Sequence, residues 1–565
     1  MILKIARRAE AKYNPQIVDN RHMRVNLSRR IRVNSRASGQ GMIVADYIVI
    51  GAGSAGAAVA YRLSEDKRHT VLLLEAGGPD SAPNIHIPAR FSDLFHSEVD
   101  WDYETVPQPG LNNRREYVPR GKVYGGTSSM NAMVYQRGHP SDYDRWAAQG
   151  NAGWSYADVL PYFRKMQHQE RGESAHHGVG GPINVADPQD PNPLSQAFVD
   201  AALEVGYSYN ADFNDGAQEG FGLYQVTQRR GQRHSSAVGY LHPALKRDNF
   251  TALPFAQATR LLFERDRCVG VEYRHEGEEK TARAGREVIL CGGAINSPQL
   301  LLQSGIGPAE HLAELEIPLI ADLPGVGQNL TDHMQVPVAY HCLASISLVG
   351  KDSPEQAQQY ELSKMGLLTS NLGESGGFVK LSADSPAPEL QYHFGPDWFI
   401  RHGFETPAGH GFTVLAGLVG AKSKGQLRLQ SKDPLAPPLI DFGCLSHDHD
   451  VQVLLAGVRI GREIVAASAF NSYRGAEFLP GAHVTSDDDL INYIREFATT
   501  IYHPAGSCKM GNDVLAVADS RLRVHGIRGL RVADASIMPR IINANTNAPC
   551  IMIGEKAAAM IKEET

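Results

Sequence analysis

The chain has 565 residues, and its formal net charge of −7 leaves no basic stripe of the kind a nucleic acid requires. Hydrophobic residues make up 42% and charged residues 21%, as in ordinary globular proteins, and the length calls for more than one core. No apolar run reaches the roughly eighteen residues of a membrane helix, and the six cysteines form no CxxC pair and no metal-ligand spacing, which points to small buried side chains in a reducing compartment.

Residues 1–41 are Arg-rich with little apolar periodicity, and read as a non-catalytic, disordered N-terminal extension: a targeting segment, a surface arm or an upstream start read through to the true one at Met42. Residues 44–50, "VADYIVI", are a buried parallel strand, followed by "GAGSAG" at 51–56 and an amphipathic helix. A second strand in "HTVLLLEAGG" (69–78) ends at Glu75. Gly51 permits the tight turn, Gly53 lets a pyrophosphate approach the backbone, and Gly56 lets helix and sheet pack closely. The helix N-terminus offers free N–H groups to phosphate, and Glu75 lies where a carboxylate accepts from ribose hydroxyls. This is a dinucleotide fingerprint that does not separate FAD from NAD.

Further along, "RGKVYGGTSSMNAMVYQRG" (120–138) has paired glycines and hydroxyls suited to a flat ligand. His176-His177 sits among turn residues and predicts no metal. In "VILCGGAINSPQLLLQSGIGP" (288–308) a strand runs into Gly292-Gly293, Asn296 or Ser297 is expected to cap a helix with Pro298 in its first turn, and Gly305 to end it. Alternation in "GQLRLQS" (425–431) predicts a half-buried strand with "PLIDF" (438–442) as partner. "HDHD" at 447–450 reads as a solvated turn, again with no metal expected. "YHPAGSCKMG" (502–511) places His503 before a proline, and the decapeptide alone leaves open whether it is a loop residue or a base. A strand, Asp534, a polar turn and a closing helix end the chain.

Four segments, "RGKVYGGTSSMNAM", "GAINSPQLLLQSGIGP", "YHPAGSCKMG" and "VADASIMP" with "NTNAP", resemble the glucose–methanol–choline (GMC) oxidoreductase family over residues 44–562. "RGHPSDYDRWAAQG", "GQRHSSAVGYLHPAL" and "DLPGVGQNLTDH" are most similar to bacterial alcohol, choline and sorbose dehydrogenases. The resemblance implies FAD rather than NAD. It implies an α/β (α+β overall) fold: a discontinuous Rossmann-like FAD-binding domain (42–155, 220–310, 500–565) and a substrate domain (156–219, 311–499) with an antiparallel sheet flanked by helices.

By position, the resemblance assigns Gly51, Gly53, Ser54, Ala55, Gly56, Glu75 and Ala76 to the adenosine half and Ala258 to the adenine end. Trp101, Arg120, Gly125, Gly126, Thr127, Ser128, Asn131, Ala132, Met133 and Val134 come with the flavin-side loop. Cys291, Gly292, Ser297, Asp534, Ala535, Asn545 and Thr546 are further cofactor contacts. His503 is the implied base facing the flavin, with Asn545 as hydrogen-bond donor, in hydride transfer from a primary alcohol or polyol to flavin N5. Some members tether FAD through a histidine at the position of Met130, so here a non-covalent FAD is expected. The electron acceptor is a quinone, a cytochrome or oxygen. Alternatives on the same scaffold are an alcohol oxidase and a hydroxynitrile lyase. Phe378, Tyr392, Phe394, Trp398, Phe399 and Phe404 are candidates for an apolar pocket wall. A cytoplasmic location is expected, with peripheral membrane association as the alternative.

Overall fold

The computed structural model describes residues 32–34 and 42–564. Apart from the strand Arg32–Asn34, which pairs antiparallel with Met42–Val44, the expectation for residues 1–41 lies outside the described residues. Two large sheets carry the molecule. The first has the order Phe250–Leu253, Val71–Leu74, Met42–Ile50, Glu278–Leu290, Arg267–His275, Ala256–Glu264, with Leu530–Val532 parallel to the end of Glu278–Leu290. Its parallel centre joins strands from distant parts of the chain, and the paired stretches Tyr47–Ile50, Val71–Leu74 and Val288–Leu290 are apolar and buried because both faces are covered.

The helix Ser54–Leu63 crosses one face and packs on the closing helix Asn547–Glu563. The contact is tight: a Cβ on Gly554 would lie 2.4 Å from the Ala55 carbonyl oxygen. Between these helices the fully buried Glu555 accepts from Arg62 Nε at 2.8 and 2.9 Å and from the Tyr240 hydroxyl at 2.8 Å. The buried carboxylate is thereby paired rather than stranded.

The second sheet has the order Arg474–Leu479, Met334–Cys342, Gly411–Leu418, Leu390–Gly395, Ser375–Val379, Gly220–Leu223, all antiparallel, with Thr499–Thr500 paired to Met334–Gln335. The helices Asp448–Ala466 and Pro193–Glu204 pack against it. The stretch 220–310 is thus shared: Gly220–Leu223 belongs to the second sheet, Phe250 onward to the first. Gly425–Arg428 and Leu439–Asp441 do pair, but with Gln328–Leu330 in a separate three-stranded sheet. Four-residue strands carry too little alternation to tell which sheet they join.

The helix after the 288–290 strand runs from Gly293 to Gln303, so Asn296 and Ser297 lie inside it rather than at its cap, and Pro298 lies in its middle. Proline deprives the carbonyl four residues earlier of its donor. That carbonyl, Ala294 O, instead accepts from Ser507 Oγ at 2.6 Å. A residue more than two hundred positions away makes the interior proline tolerable, which no local pattern reports. Gly305, at φ +82°, follows the helix end as expected.

Candidate active site

The two sheets meet along one continuous cavity. Every cofactor or catalytic residue assigned above lines it except Gly56, Gly125 and Ser128. Those three act from behind. A Cβ on Gly56 would fall 1.9 Å from the Gly51 carbonyl oxygen, so this glycine holds the helix to the turn. Gly125 takes φ +88°, and the Ser128 hydroxyl donates to its carbonyl at 2.6 Å, fixing the loop.

At one end of the cavity the sequence fingerprint is realised. The N-cap of the Ser54–Leu63 helix, Gly53, has no side-chain cap, so the helix's first N–H groups are left to whatever sits before them. A Cβ on Gly126 would lie 2.7 Å from Gly53 Cα, so the two loops cross backbone to backbone. Glu75 is 5% exposed, and its two oxygens accept from Ala52 N and Gly77 N, each at 2.8 Å. Burial pushes its carboxyl up to about 7 against these bonds and the Lys122 charge. A cradle of uncapped helix N–H groups, close backbone crossing and a buried carboxylate fits a dinucleotide. Asp534, two residues past the strand Leu530–Val532, accepts from Gly293 N (2.9 Å), Ser297 Oγ (2.6 Å) and Ser536 N (2.8 Å), tying the closing segment to the cavity wall.

The loop carrying Met130 and Asn131 is held by a residue the sequence analysis passed over. Arg233 is 3% exposed and donates to Ile85 O (2.6 Å), Asn131 O (2.6 Å) and Asn131 Oδ1 (3.0 Å). Burial lowers its guanidinium to about 9. Met130, 2% exposed, lines the cavity.

At the other end stands His503. Tyr502 before it adopts φ +69°, an uncommon conformation for a residue with a side chain, and its N–H is held by Thr500 Oγ1 at 2.7 Å. Asp332 gathers the approach: its Oδ1 accepts from His333 N (2.7 Å) and His503 N (2.8 Å), and its Oδ2 from the Thr500 hydroxyl. Burial raises the Asp332 carboxyl to about 6. His503 Nδ1 lies 3.1 Å from His333 Nδ1, and His503 Nε2 lies 3.3 Å from Asn545 Nδ2. The Asn545 amide is oriented by Gln391, whose Nε2 donates to Asn545 Oδ1 at 2.8 Å, and Nδ2 also lies 3.5 Å from His393 Nε2.

These bonds assign the tautomers. With Asn545 Nδ2 donating to His503 Nε2, the His503 proton sits on Nδ1 and donates to His333 Nδ1, which leaves the His333 proton on Nε2. All three imidazoles are kept neutral. Burial lowers His333 to about 3, with His393 adding to the effect, and lowers His393 to about 4. Burial, then His333, His393 and the Arg120 cation, push His503 well below its usual 6.5.

Sequence reasoning missed His333 and His393. His333 ends the quoted "DLPGVGQNLTDH", yet no spacing rule links it to His503, 170 residues away. His393 lies in an ordinary alternating strand. Of the six proposed pocket aromatics, Phe399 lines the cavity; Phe378, Tyr392 and Phe394 are core, Trp398 packs with Ala339 and Ile400, and Phe404 is exposed. Phe91, Phe95 and Tyr502 supply the remaining aromatic wall on this side. Buried aromatics at strand spacing serve the interior of the sheet packing first.

Family models described as GMC oxidoreductase match residues 45–335 and 421–554. An oxygen-dependent choline dehydrogenase of Brucella anthropi is 45% identical over 528 residues, covering 92% of this chain and 96% of that protein. Among solved structures, a pyridoxine 4-oxidase from Mesorbium loti superposes with a TM-score of 0.85 at 30% identity, over 92% of this chain and 99% of that one. A formate oxidase variant from Aspergillus oryzae, studied for its FAD modification, gives 0.86 at 30% identity, over 92% and 98%.

Proposed function

The chain belongs to the GMC oxidoreductase family, as an FAD-dependent oxidoreductase acting on CH–OH donors, and we propose that His503 is the base and Asn545 the hydrogen-bond donor in oxidation of a primary alcohol or polyol. Bound FAD supplies the two-electron acceptor for the hydride that leaves the carbinol carbon. The 3.3 Å approach of His503 Nε2 to Asn545 Nδ2, in the cavity wall, carries the proposal. An alcohol oxygen seated on the cavity side of both groups, replacing their direct contact, donates its proton to Nε2 and accepts from the amide. A neutral imidazole can take that proton near pH 7, and an amide cannot, so the base role falls to His503.

Asn545 then stabilises developing alkoxide charge, and Gln391 keeps the amide turned the right way. Arg120, whose Nη2 donates to Tyr502 O at 2.7 Å, adds positive potential at the same point. Gly51, Gly53, Ser54, Ala55 and Glu75 would hold the adenosine diphosphate half, and Gly126 through Val134 with Thr546 the flavin half. With Met130 in place of a ring nucleophile, the hold is non-covalent. Phe91, Phe95 and Tyr502 line the reacting end with aromatic surface. Among the described residues no helix is long and apolar enough to cross a membrane.

Anaerobic mixing of the holoprotein with a panel of alcohols tests the proposal. Bleaching of the oxidised-flavin band by at least one alcohol is expected, and subsequent addition of oxygen or a quinone identifies the acceptor by recovery of the band. A flavin that no alcohol bleaches, while dithionite does, refutes it.

A further inference from the structure

We propose that the site selects an uncharged alcohol over a quaternary ammonium alcohol such as choline, and that Gln335 is the residue that sets this selectivity; the inference rests on the alcohol-oxidising function proposed above. The distribution of charge in the cavity leads to it. The acidic side chains that line the cavity are Glu75 and Asp534. Glu75 is at the glycine turn, with both oxygens taken by Ala52 N and Gly77 N. Asp534 is bound to Gly293 N, Ser297 Oγ and Ser536 N. The charged or ionisable side chains acting on the His503 ring are His333, His393 and Arg120. Asp332 lies behind that ring rather than in the cavity wall. Its oxygens are committed to the backbone of residues 333 and 503 and to Thr500, and its charge faces Arg120.

Where the substrate chain would extend from His503, the second sheet presents a row across three strands. Gln335 is in register with Gly417, and Gly417 with Gln391, the residue that orients Asn545. Side chains in such a row share one face of the sheet, and Ile501 Cδ1 lies over the central glycine, 2.9 Å from where a Cβ would stand. Gln335 is 2% exposed, lines the cavity, and its Oε1 has no hydrogen-bond partner. The other walls are apolar: Leu372, Phe399, Leu415 and Ile501. The Phe95 ring packs edge-on against both Phe91 and Tyr502.

A fixed cation brought into this end would lose its water, meet a neutral amide, aliphatic groups and aromatic rings whose attraction for it offsets only part of that loss, and stand near the Arg120 guanidinium. Burial of a charge without a counter-charge is strongly unfavourable. A neutral chain of the same shape loses nothing comparable, and a hydroxyl on it can donate to Gln335 Oε1.

Choline and 3,3-dimethylbutan-1-ol have the same shape and differ in having nitrogen or carbon at the branched centre. With the holoprotein, dissociation constants come from flavin difference spectra and kcat/KM from anaerobic flavin reduction. The neutral alcohol is expected to be preferred by about a hundredfold or more in both. The isosteric Gln335→Glu is expected to move the ratio at least about tenfold toward choline. Choline matched or preferred by the wild-type protein overturns the proposal, as does a ratio unmoved by Gln335→Glu. The two levels separate cleanly. Tighter binding of the neutral alcohol without flavin reduction by either upholds the selectivity and sinks the catalytic proposal. Rapid reduction by choline does the reverse.

Discussion

Replacing His503 by alanine removes the proposed base while leaving its backbone N–H on Asp332 Oδ1, so the loop keeps its anchor. Loss of a general base costs about 10²–10⁴-fold, or about 3–5 kcal/mol in the barrier at roughly 1.4 kcal/mol per tenfold. The ring also satisfies two neighbours, His333 Nδ1 at 3.1 Å and Asn545 Nδ2 at 3.3 Å. Each costs about 1–3 kcal/mol if left buried and unpaired. The lower end is expected, because Asn545 retains His393 and the cavity gives water a route to the vacated space. The fold and the bound flavin should therefore survive, with a small fall in Tm, while the flavin-reduction rate collapses. The assay is single-turnover anaerobic reduction in a stopped-flow instrument, with flavin content and Tm measured on the same preparation. A His503→Ala protein that holds its flavin and is reduced within tenfold of the wild-type rate would refute the assignment.

Four further outcomes are expected. The unfolded chain takes up protons on His333, His393 and His503 below pH 6.5, whereas the folded protein resists until about pH 4 for His393 and about pH 3 for His333; their contribution to stability is present above pH 6.5 and lost as pH falls. Asp332 and Glu75, raised to about 6 and about 7, act in the opposite sense, so the histidine part is isolated by difference: His393→Gln should flatten the fall of Tm below pH 6.5, and a slope equal to wild type counts against the assignment. By the same shift, the acid limb of kcat/KM for flavin reduction should lie below pH 6.5. Glu75→Ala should lose FAD affinity and also stability, about 1–3 kcal/mol for each of the Ala52 and Gly77 N–H groups left without an acceptor; a variant that purifies fully yellow with unchanged Tm contradicts both. Acid precipitation should release the yellow colour to the supernatant, since Met130 offers no ring nitrogen for a tether; colour in the washed pellet with a flavin-bearing peptide means that another residue forms one.

What the sequence by itself determined is the chemistry that is local along the chain. The strand, glycine turn, helix and second strand of residues 42–75 follow from period, glycine position and one acid, because each of those interactions closes within a few residues or between consecutive elements. The His503-Pro504 pair could be picked out, and resemblance supplied Asn545 as its partner. Tertiary structure decided what depends on distant segments meeting. His333 and His393 reach His503 only because three strands of the second sheet and a left-handed turn at Tyr502 bring them there. The helix at Gly293 can begin ahead of its proline because Ser507 arrives to serve the freed carbonyl. The strand at 425–428 joined the small sheet rather than the large one, and most of the pocket aromatics turned out to be core. Strand alternation says which face a side chain takes but not which sheet it joins, nor what will face it across a cavity. Those outcomes are set by the packing of segments hundreds of residues apart, and the charge seen by a substrate is set there too.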